Sequence, residues 1–514
     1  MAVYKRALFS VSDKTDLVEF AKGLKRLIVN LQIISTGGTA KFLQSEVTKF
    51  PEILDGRVKT LHPLIHGGIL GIRANEDHRQ QMIANKIESI DFVVVNLYPF
   101  RKTILEPRST LLDAIENIDI GGPTLIRASA KNYQDVVVVT NPSRYSPILE
   151  ELRETGKISL LTRENLAVEA FAHTSQYDAM IYTYLQRMMG SKEPFPSIIT
   201  RSFEKIDVNL RYGENPHQRA SVYRDTSEKM PPNVAEAHIY QGKALSYVNI
   251  LDFSAALEIL FEFEEPTAVI IKHMNPCGIA SADTITDAYI RARETDPKSA
   301  FGSIVGINRP LEDEVLVKKL TETFVEGIIT PSVNTDFLPI LGTKPNMRVL
   351  ETGESEIDLF PTIFRPINGG LLVQDRDRFK LTSESFKIVT KRVPTSEEEK
   401  NLLFAWKVVK HIKSNAIILV KNQQACGIGA GQMSRVDSAI IARRKALENK
   451  FDLKNAVMAS DAFFPFRDST DTAAKAGISA IIQPGGSIRD QESIQAANEH
   501  NIAMVFTGVR CFKH

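Results

Sequence analysis

The chain opens as a series of short apolar runs, each ending in polar or glycine residues and followed by a stretch of helical period. Residues 7–11, 32–34, 91–100 and 135–140 read as strands, the third ending in polar Asn96 and Tyr98. Between the first two, Leu17, Val18, Phe20, Ala21 and Leu24 recur at helical spacing, with Ser12 or Asp13 as the expected cap. Residues 35–39 lead into a second helix start at residues 40–43, and Thr162 is expected to cap a long helix ending near Met188. Strands alternating with helices imply a doubly wound parallel sheet. The proline-punctuated, aperiodic residues 190–196 place a domain boundary at 190–202.

Beyond that boundary, residues 268–271 form an apolar run of the kind buried on both faces of a parallel sheet. It breaks into Lys272 and His273, and Asn275, Pro276 and Gly278 are expected to turn the chain. Ligands gather beyond the carboxyl ends of such strands, so a Lys-His pair there is a candidate for chemistry; a strand end with two solvated polar residues is the plain alternative. The stretch has an echo. Residues 416–420 with Cys426-Gly-Ile-Gly match residues 268–271 with Cys277-Gly-Ile-Ala, the cysteines being 149 positions apart. Each copy continues into a helix rich in alanine and arginine (288–293, 439–446) and a strand-edge motif (299–302, 461–464). A duplicated α/β unit with a site between its halves is expected, with the strand end around Asn415 and residues 427–432 as counterpart of the Lys-His turn. Chance likeness between two buried strand–turn–helix units is the alternative.

Composition narrows the class. Of 514 residues, 43% are hydrophobic and 24% charged, and the formal charge is +1, so no general field draws the chain to nucleic acid or an anionic membrane. No apolar run has transmembrane length, and the amino-terminus lacks the apolar stretch of a signal peptide. Three scattered cysteines argue for a reducing, cytoplasmic setting.

The strand-to-helix turns at residues 12–14 and 35–39 suit a phosphate, since free N–H groups and the helix dipole both favour an anion; plain helix capping explains each as well. Arg57 and Lys59 add cations in a loop broken by proline and glycine, as an anionic substrate needs. His62 and His66 are spaced like metal ligands on a helix, but Pro63 and the following glycines are expected to prevent that helix, and no third ligand lies near. Arg127 and Lys131 stand at i, i+4 if residues 124–131 are helical, either as a site or as a solvated cationic face.

Taken together, SVSDKT (10–15), STGGTAKFL (35–43), GRVKTLHP (56–63), NLYPF (96–100), IDIGGPT (118–124), RASAKN (127–132), AFAHTSQYDA (170–179), LRYGENPHQ (210–218), KHMNPCG (272–278), SAFG (299–302), GIGAGQMSR (427–435), SDAFFPFRD (460–468) and QPGGSIRDQE (483–492) resemble the bifunctional AICAR transformylase/IMP cyclohydrolase family almost from end to end. The resemblance implies a methylglyoxal-synthase-like parallel-sheet domain at residues 1–195 for the cyclohydrolase. It implies two cytidine-deaminase-like α/β units, at 200–380 and 381–514, for the transformylase. The implied reactions are formyl transfer from the co-substrate 10-formyltetrahydrofolate to AICAR, giving FAICAR, and dehydrative closure of FAICAR to IMP. The implied assembly is a homodimer with transformylase sites built from both subunits.

By motif match, Lys272, His273 and Asn415 resemble the formyl-transfer residues. AICAR's amine is a poor nucleophile that must lose a proton as the new bond forms, and a histidine poised near neutral pH suits that relay. A lysine suits the developing oxyanion. Arg211, Tyr212, Gly302, Glu326, Arg435, Phe463 and Arg510 resemble the AICAR contacts, and Asp468, Ser487 and Ile488 the folate side. For the cyclohydrolase the matches are Ser12, Asp13, Lys14, Thr36, Gly37, Gly38, Thr39, Arg57, Val58, Thr60, Val95, Asn96 and Ile120 around the nucleotide. Lys59, Tyr98, Asp119 and Lys131 match the ring-closing positions. No catalytic metal is implied.

Two departures stand out. Between residues 44 and 46 the family usually has about ten more residues, and too few are left here for the strand they supply, which leaves a transformylase with impaired cyclohydrolase as the alternative function. Val248 stands where the family usually has asparagine. A nucleotide-sensing protein does not need the Lys-His/Asn set, and a zinc deaminase needs an H-x-E with a C-x-x-C that the chain lacks. No reader motif for nucleic acid is present.

Overall fold

A computed structural model describes residues 4–35, 37–43, 46–47, 60–190, 193–206, 208, 210–227, 231–354 and 362–514. The chain divides into two compact units, residues 1–203 with 225–229, and residues 204–224 with 230–514.

The first unit is built on β1 (Arg6–Val11), β2 (Gln32–Ser35), β3 (Glu46–Val47), β4 (Phe92–Asn96) and β5 (Val137–Val139), in the order β3-β2-β1-β4-β5. Every neighbouring pair is parallel. All five residues of β4 are buried, because helices cover both faces of the sheet. The chain moves outward from β1 through β2 and β3, then returns to β4 on the other side. The carboxyl ends of β1 and β4 therefore flank a switch point, where such sheets hold ligands. The strand expected to be lost with the shortened segment survives as the two residues of β3, paired through Ile34 with Glu46 and Ser35 with Val47.

Three local expectations are corrected. Asp16, in a left-handed conformation and without a side-chain cap, precedes the helix Leu17–Leu27. Asp13 instead accepts from the amide (2.9 Å) and hydroxyl (2.7 Å) of Thr15, closing an Asx turn before the helix. Ser159, not Thr162, caps Leu160–Met189, its hydroxyl accepting from the Thr162 amide at 3.2 Å. A helix does form at Pro63–Leu70: proline in a first turn forfeits no hydrogen bond, and His62 Nδ1 accepts from the Leu64 amide at 3.2 Å as the cap.

The second unit carries one twelve-stranded sheet. Its first half is β6 (His238–Gln241), β7 (Thr267–Lys272), β8 (Asn275–Ser281), β9 (Ser303–Ile307), β10 (Val325–Thr330) and β11 (Arg348–Glu351). Its second half is β12 (Lys387–Ile388), β13 (Ile417–Lys421), β14 (Gln424–Gly429), β15 (Val457–Ser460), β16 (Ala480–Gln483) and β17 (Ala503–Phe506). The spatial order is β12-β17-β16-β15-β13-β14-β8-β7-β9-β10-β11-β6. Both halves follow one plan. An antiparallel hairpin (β7–β8, β13–β14) is flanked by an antiparallel strand (β9, β15), two further parallel strands follow, and an antiparallel edge strand closes the half. The halves join through β8 and β14, antiparallel, with Ala280 opposite Gln424. At matching places Gly278 and Gly427 leave room for a helix carbonyl, that of Ala292 or Ala442, which a Cβ would strike.

β7 is buried on both faces as expected, yet both its neighbours run antiparallel. Two-sided burial reports helices on both faces and says nothing of strand direction. The turn also lies earlier than expected. His273 (φ 52°) and Met274 (φ 62°) form a two-residue hairpin turn with both residues left-handed, as the twist of paired strands favours, and Asn275 and Pro276 already belong to β8. The topological counterpart of this turn is Asn422 (φ 52°) and Gln423 (φ 54°), not the segment around Asn415. Among the described residues, no helix is long and apolar enough to cross a membrane.

Candidate active sites

In the first unit the candidate residues gather at the carboxyl ends of β1, β2 and β4. The Asn96 carbonyl oxygen accepts from the amides of Ser12 (2.7 Å) and Asp13 (2.9 Å), and its NH2 donates to the Asp13 carbonyl at 3.1 Å. Asn96 thus shapes the loop after β1 from the end of β4. Lys14 lies over the Phe42 ring, 5.8 Å from its centre. Thr39 is buried, and its hydroxyl bonds both the amide and the carbonyl of Val11 at 3.1 Å, so its side chain ties helix Gly37–Leu43 to β1 rather than facing solvent. Gly37 and Gly38 begin that helix. Val95 is buried within β4 and has no side-chain face open to a ligand.

Asp119 lies just before helix Gly121–Lys131 and accepts from the Gly122 amide at 2.8 Å. Burial pushes its carboxyl above the usual range, offset by hydrogen bonds from the backbone of Gly122 and Tyr98. Burial, then the charge of Asp119, pushes the Tyr98 phenol up as well. Buried Thr60 closes on the same turn, since a Cβ at Gly121 would run into its hydroxyl, and Ile120 is exposed beside it. Tyr177, in the helix Leu160–Met189, was given no role by sequence reasoning. Its hydroxyl accepts from the Asp119 amide at 2.8 Å, and burial pushes it up to about 12. Its motif, AFAHTSQYDA, was the available signal.

Lys131 stands apart. Ten residues of helix, about 15 Å at 1.5 Å per residue, separate it from Gly121. It lines a cavity of about 690 Å³ with Arg127 and Phe171, and Arg127 packs over the Phe171 ring at 5.5 Å. Thr36, Arg57, Val58 and Lys59 lie outside the described residues, as does the chain on either side of β3.

In the second unit the strand registers bring the candidates to one end of the sheet. Ile304 pairs with Ile271, Ser303 with Val325 and Gly327 with Arg348, so Lys272, Gly302, Glu326 and Arg348 follow one another along that edge. Lys272 donates to the carbonyls of Phe301 (2.8 Å) and Gly302 (2.9 Å). Gly302 takes a left-handed conformation (φ 65°), and a Cβ there would crowd the Phe324 ring. Glu326 is held at 2.6 Å by Arg348, which is 1% exposed and also donates to the Ala244 carbonyl at 2.8 Å. Sequence reasoning missed Arg348, because nothing in its local pattern distinguishes it from a surface arginine.

The edge continues into the second half. The Asn275 side chain accepts from the Lys413 amide at 3.0 Å, tying the Lys-His turn to the chain that leads into Asn415. Asn415 donates from its NH2 to the carbonyls of Gln432 (2.9 Å) and Met433 (3.0 Å), and its carbonyl oxygen accepts from Arg435 at 2.7 Å. Arg435, 8% exposed, also pairs with fully buried Asp461 and donates to the Ser460 hydroxyl at 2.9 Å. In this structure Arg435 therefore orients Asn415. Phe463, Asp468, Ser487, Ile488 and Arg510 follow the carboxyl ends of β15, β16 and β17 at this same edge. Ile488 is fully exposed beyond Gly485 and Gly486, both at positive φ, and Arg510 packs over the Phe512 ring at 4.8 Å. Arg211 and Tyr212 make a local pair in the loop between the short strands Phe203–Lys205 and Tyr223–Asp225, the guanidinium 5.5 Å from the ring centre.

The AICARFT/IMPCHase bienzyme family matches residues 129–445, and the MGS-like domain matches residues 16–124. The chain belongs to the AICARFT/IMPCHase bienzyme family. Its relatives include the "Bifunctional purine biosynthesis protein PurH" of Anoxybacillus flavithermus, 52% identical over 520 residues that cover 99% of this chain and all of that protein. The proteins of the same name from Acetivibrio thermocellus and Bacillus cereus are each 51% identical, again over 99% of this chain and all of theirs. A solved structure titled "Crystal structure of ForH" overlaps 34% of this chain and 96% of its own, at 32% identity and a TM-score of 0.31. The MGS-like match lies within the amino-terminal unit with its parallel sheet, and the larger mixed α/β unit follows it.

Proposed function

We propose that this bifunctional AICAR transformylase and IMP cyclohydrolase runs its two reactions at the two sheet ends described above, one in each unit. Formyl transfer belongs to the twelve-stranded sheet. The AICAR amine attacks the formyl carbon of 10-formyltetrahydrofolate, a C–N bond forms, and the amine proton passes to His273. The bond from the formyl carbon to the folate nitrogen then breaks, and that nitrogen takes up a proton. Lys272 steadies the oxyanion formed on the way, leaving its two backbone carbonyls to do so. Asn415, its amide fixed by Arg435 and two carbonyls, presents a neutral hydrogen-bonding group from the other half. The observation that carries this reading is the tie between halves at Asn275 and Lys413, which holds the Lys-His turn beside the Asn415 segment.

Ring closure belongs to the five-stranded sheet. The loop after β1, shaped by Asn96, suits the nucleotide phosphate, and Asp119 with Tyr98 supplies proton transfer. Lys59 completes the set by family resemblance. Lys131, at the far end of its helix, serves as part of the cationic cavity with Arg127. The chain works in the cytoplasm as a homodimer. Apolar Ile367, Leu371 and Leu372, left exposed on the hairpin of Thr362–Ile367 and Gly370–Asp375, suit burial against a second copy.

His273→Ala tests the assignment. Tetrahydrofolate release from AICAR and 10-formyltetrahydrofolate is expected to fall at least a hundredfold, with cyclisation of supplied FAICAR unchanged and the mass by light scattering still that of a dimer. Full transformylase activity in the variant would remove His273 as the relay.

A further inference from the structure

The duplicated halves of the larger unit allow an internal comparison at the turn that carries His273. In the first half the Met274 amide donates to Asp252 Oδ1 at 2.6 Å, from the helix Tyr247–Leu260. In the second half the Gln423 amide donates to Asn401 Oδ1 at 2.7 Å, from the helix Ser396–Val409. Each pair is separated by the same 149 positions as the two cysteines, and both capping side chains are buried. Both turns have the same left-handed pair of residues. An amide is therefore sufficient to hold such a turn. The half with the histidine uses a carboxylate instead, and the half with Asn422 in the histidine's place does not.

A buried carboxylate is costly unless its charge is used or paired. Burial pushes Asp252 up, offset first by the Met274 amide and then by the charge of His273, with Lys272 a smaller contributor. Other charges on the surrounding elements have partners of their own. Glu258, farther along the same helix, pairs with Lys513 at 3.2 Å, and Lys410 and His411 pair with Glu262 at 2.7 and 3.1 Å. Asp296, beside helix Pro297–Ala300 with its Lys298, pairs with Lys445 at 2.7 Å, and Arg291 donates to the Ser281 carbonyl at the opposite end of β8. Lys413 joins the turn through its backbone amide.

We propose that Asp252 is a positioning residue for formyl transfer, whose carboxylate fixes the His273–Met274 turn and supplies the negative charge that stabilises the His273 imidazolium as it takes the amine proton. The inference rests on His273 being the relay. No bond to Asp252 forms or breaks; the proton goes from the amine to the imidazole, and the carboxylate acts through its field.

Asp252→Asn reproduces the Asn401 arrangement and is the deciding variant. It is expected to keep the wild-type melting temperature and a KM for AICAR within about twofold. Its kcat for formyl transfer is expected to fall tenfold or more, the equivalent of about one pK unit or more of lost charge stabilisation, with the acid limb of the kcat–pH profile moved to lower pH. Asp252→Ala, which also loses the hydrogen bond, is expected to lose kcat further and to melt earlier. A wild-type kcat and pH profile in Asp252→Asn would overturn the charge role. So would equal losses in both variants with KM raised and melting lowered together, since that describes a purely structural contact. His273→Ala, assayed alongside, separates the two readings: if it stays active the relay itself falls, and if it is inactive while Asp252→Asn is normal only Asp252's part falls.

Discussion

Asp119 shows how a candidate functional side chain stands out by what it costs. Burial raises its carboxyl, so the folded state binds its proton more tightly than the unfolded chain does. Stability from this group is therefore present at low pH and is lost as pH rises from the ordinary carboxylate range through the raised value. Replacing it with asparagine preserves an acceptor for the Gly122 amide and removes the charge. Asp119→Asn is thus expected to melt at or above the wild-type temperature at pH 7 while FAICAR cyclisation falls a hundredfold or more, the usual scale for an acid–base group. Thermal melts at pH 5 and 7 beside the cyclisation rate check this; a variant that melts earlier at pH 7 and still cyclises would make Asp119 a structural residue. Asp119, Asn96, Lys272, His273 and Asn415 were all legible in the sequence, as polar residues closing an apolar run or as family motifs. Their partners were not. Tyr177, Arg348 and Asp461 reach the sites across 58, 22 and 26 or more positions of chain, and only folding shows which polar residue meets which.

Elements were legible where apolar periodicity dominates and less so at their ends. Four of the five strands of the first unit follow from buried runs, β3 being the one the sequence did not offer, and the duplicated plan of the second follows from the repeated Cys-Gly motif. Strand direction around β7 was not, because a strand buried on both faces looks the same in parallel and antiparallel company. The caps moved by a few residues, since Ser, Thr and Asp near a helix start are interchangeable until the first free amides are located. The hairpin turn moved because neither His273 nor Met274 announces a left-handed conformation, whereas Asn-Pro-Cys-Gly looks like a turn. The matching turn at Asn422 and Gln423 provides a control at this scale. Asn422 is exposed, sits at φ 52° and offers its backbone carbonyl to Arg291. Asn422→Gly is expected to change stability by no more than about 0.5 kcal/mol and to leave both reaction rates as they were, read from denaturant melts and the two assays. A loss of formyl transfer there would mean that chemistry is not confined to the His273 turn.

For the whole molecule, the two units solve one problem in different ways. Each gathers polar residues at the end of a sheet whose strands are covered on both faces, but the first uses the switch point of a parallel sheet and the second uses the junction of two copies of one fold. On the proposed assignment the order of chemistry runs from the second unit to the first, FAICAR made at the Lys-His turn being the substrate for ring closure at Asp119. Beside β2 the sheet keeps a two-residue edge strand, β3, in parallel register. The most direct measurement follows product with time when the wild-type chain is given AICAR and 10-formyltetrahydrofolate. IMP is expected to accumulate with FAICAR never exceeding a small steady level; FAICAR building up to match the tetrahydrofolate released, with no IMP, would contradict a chain that carries out both steps.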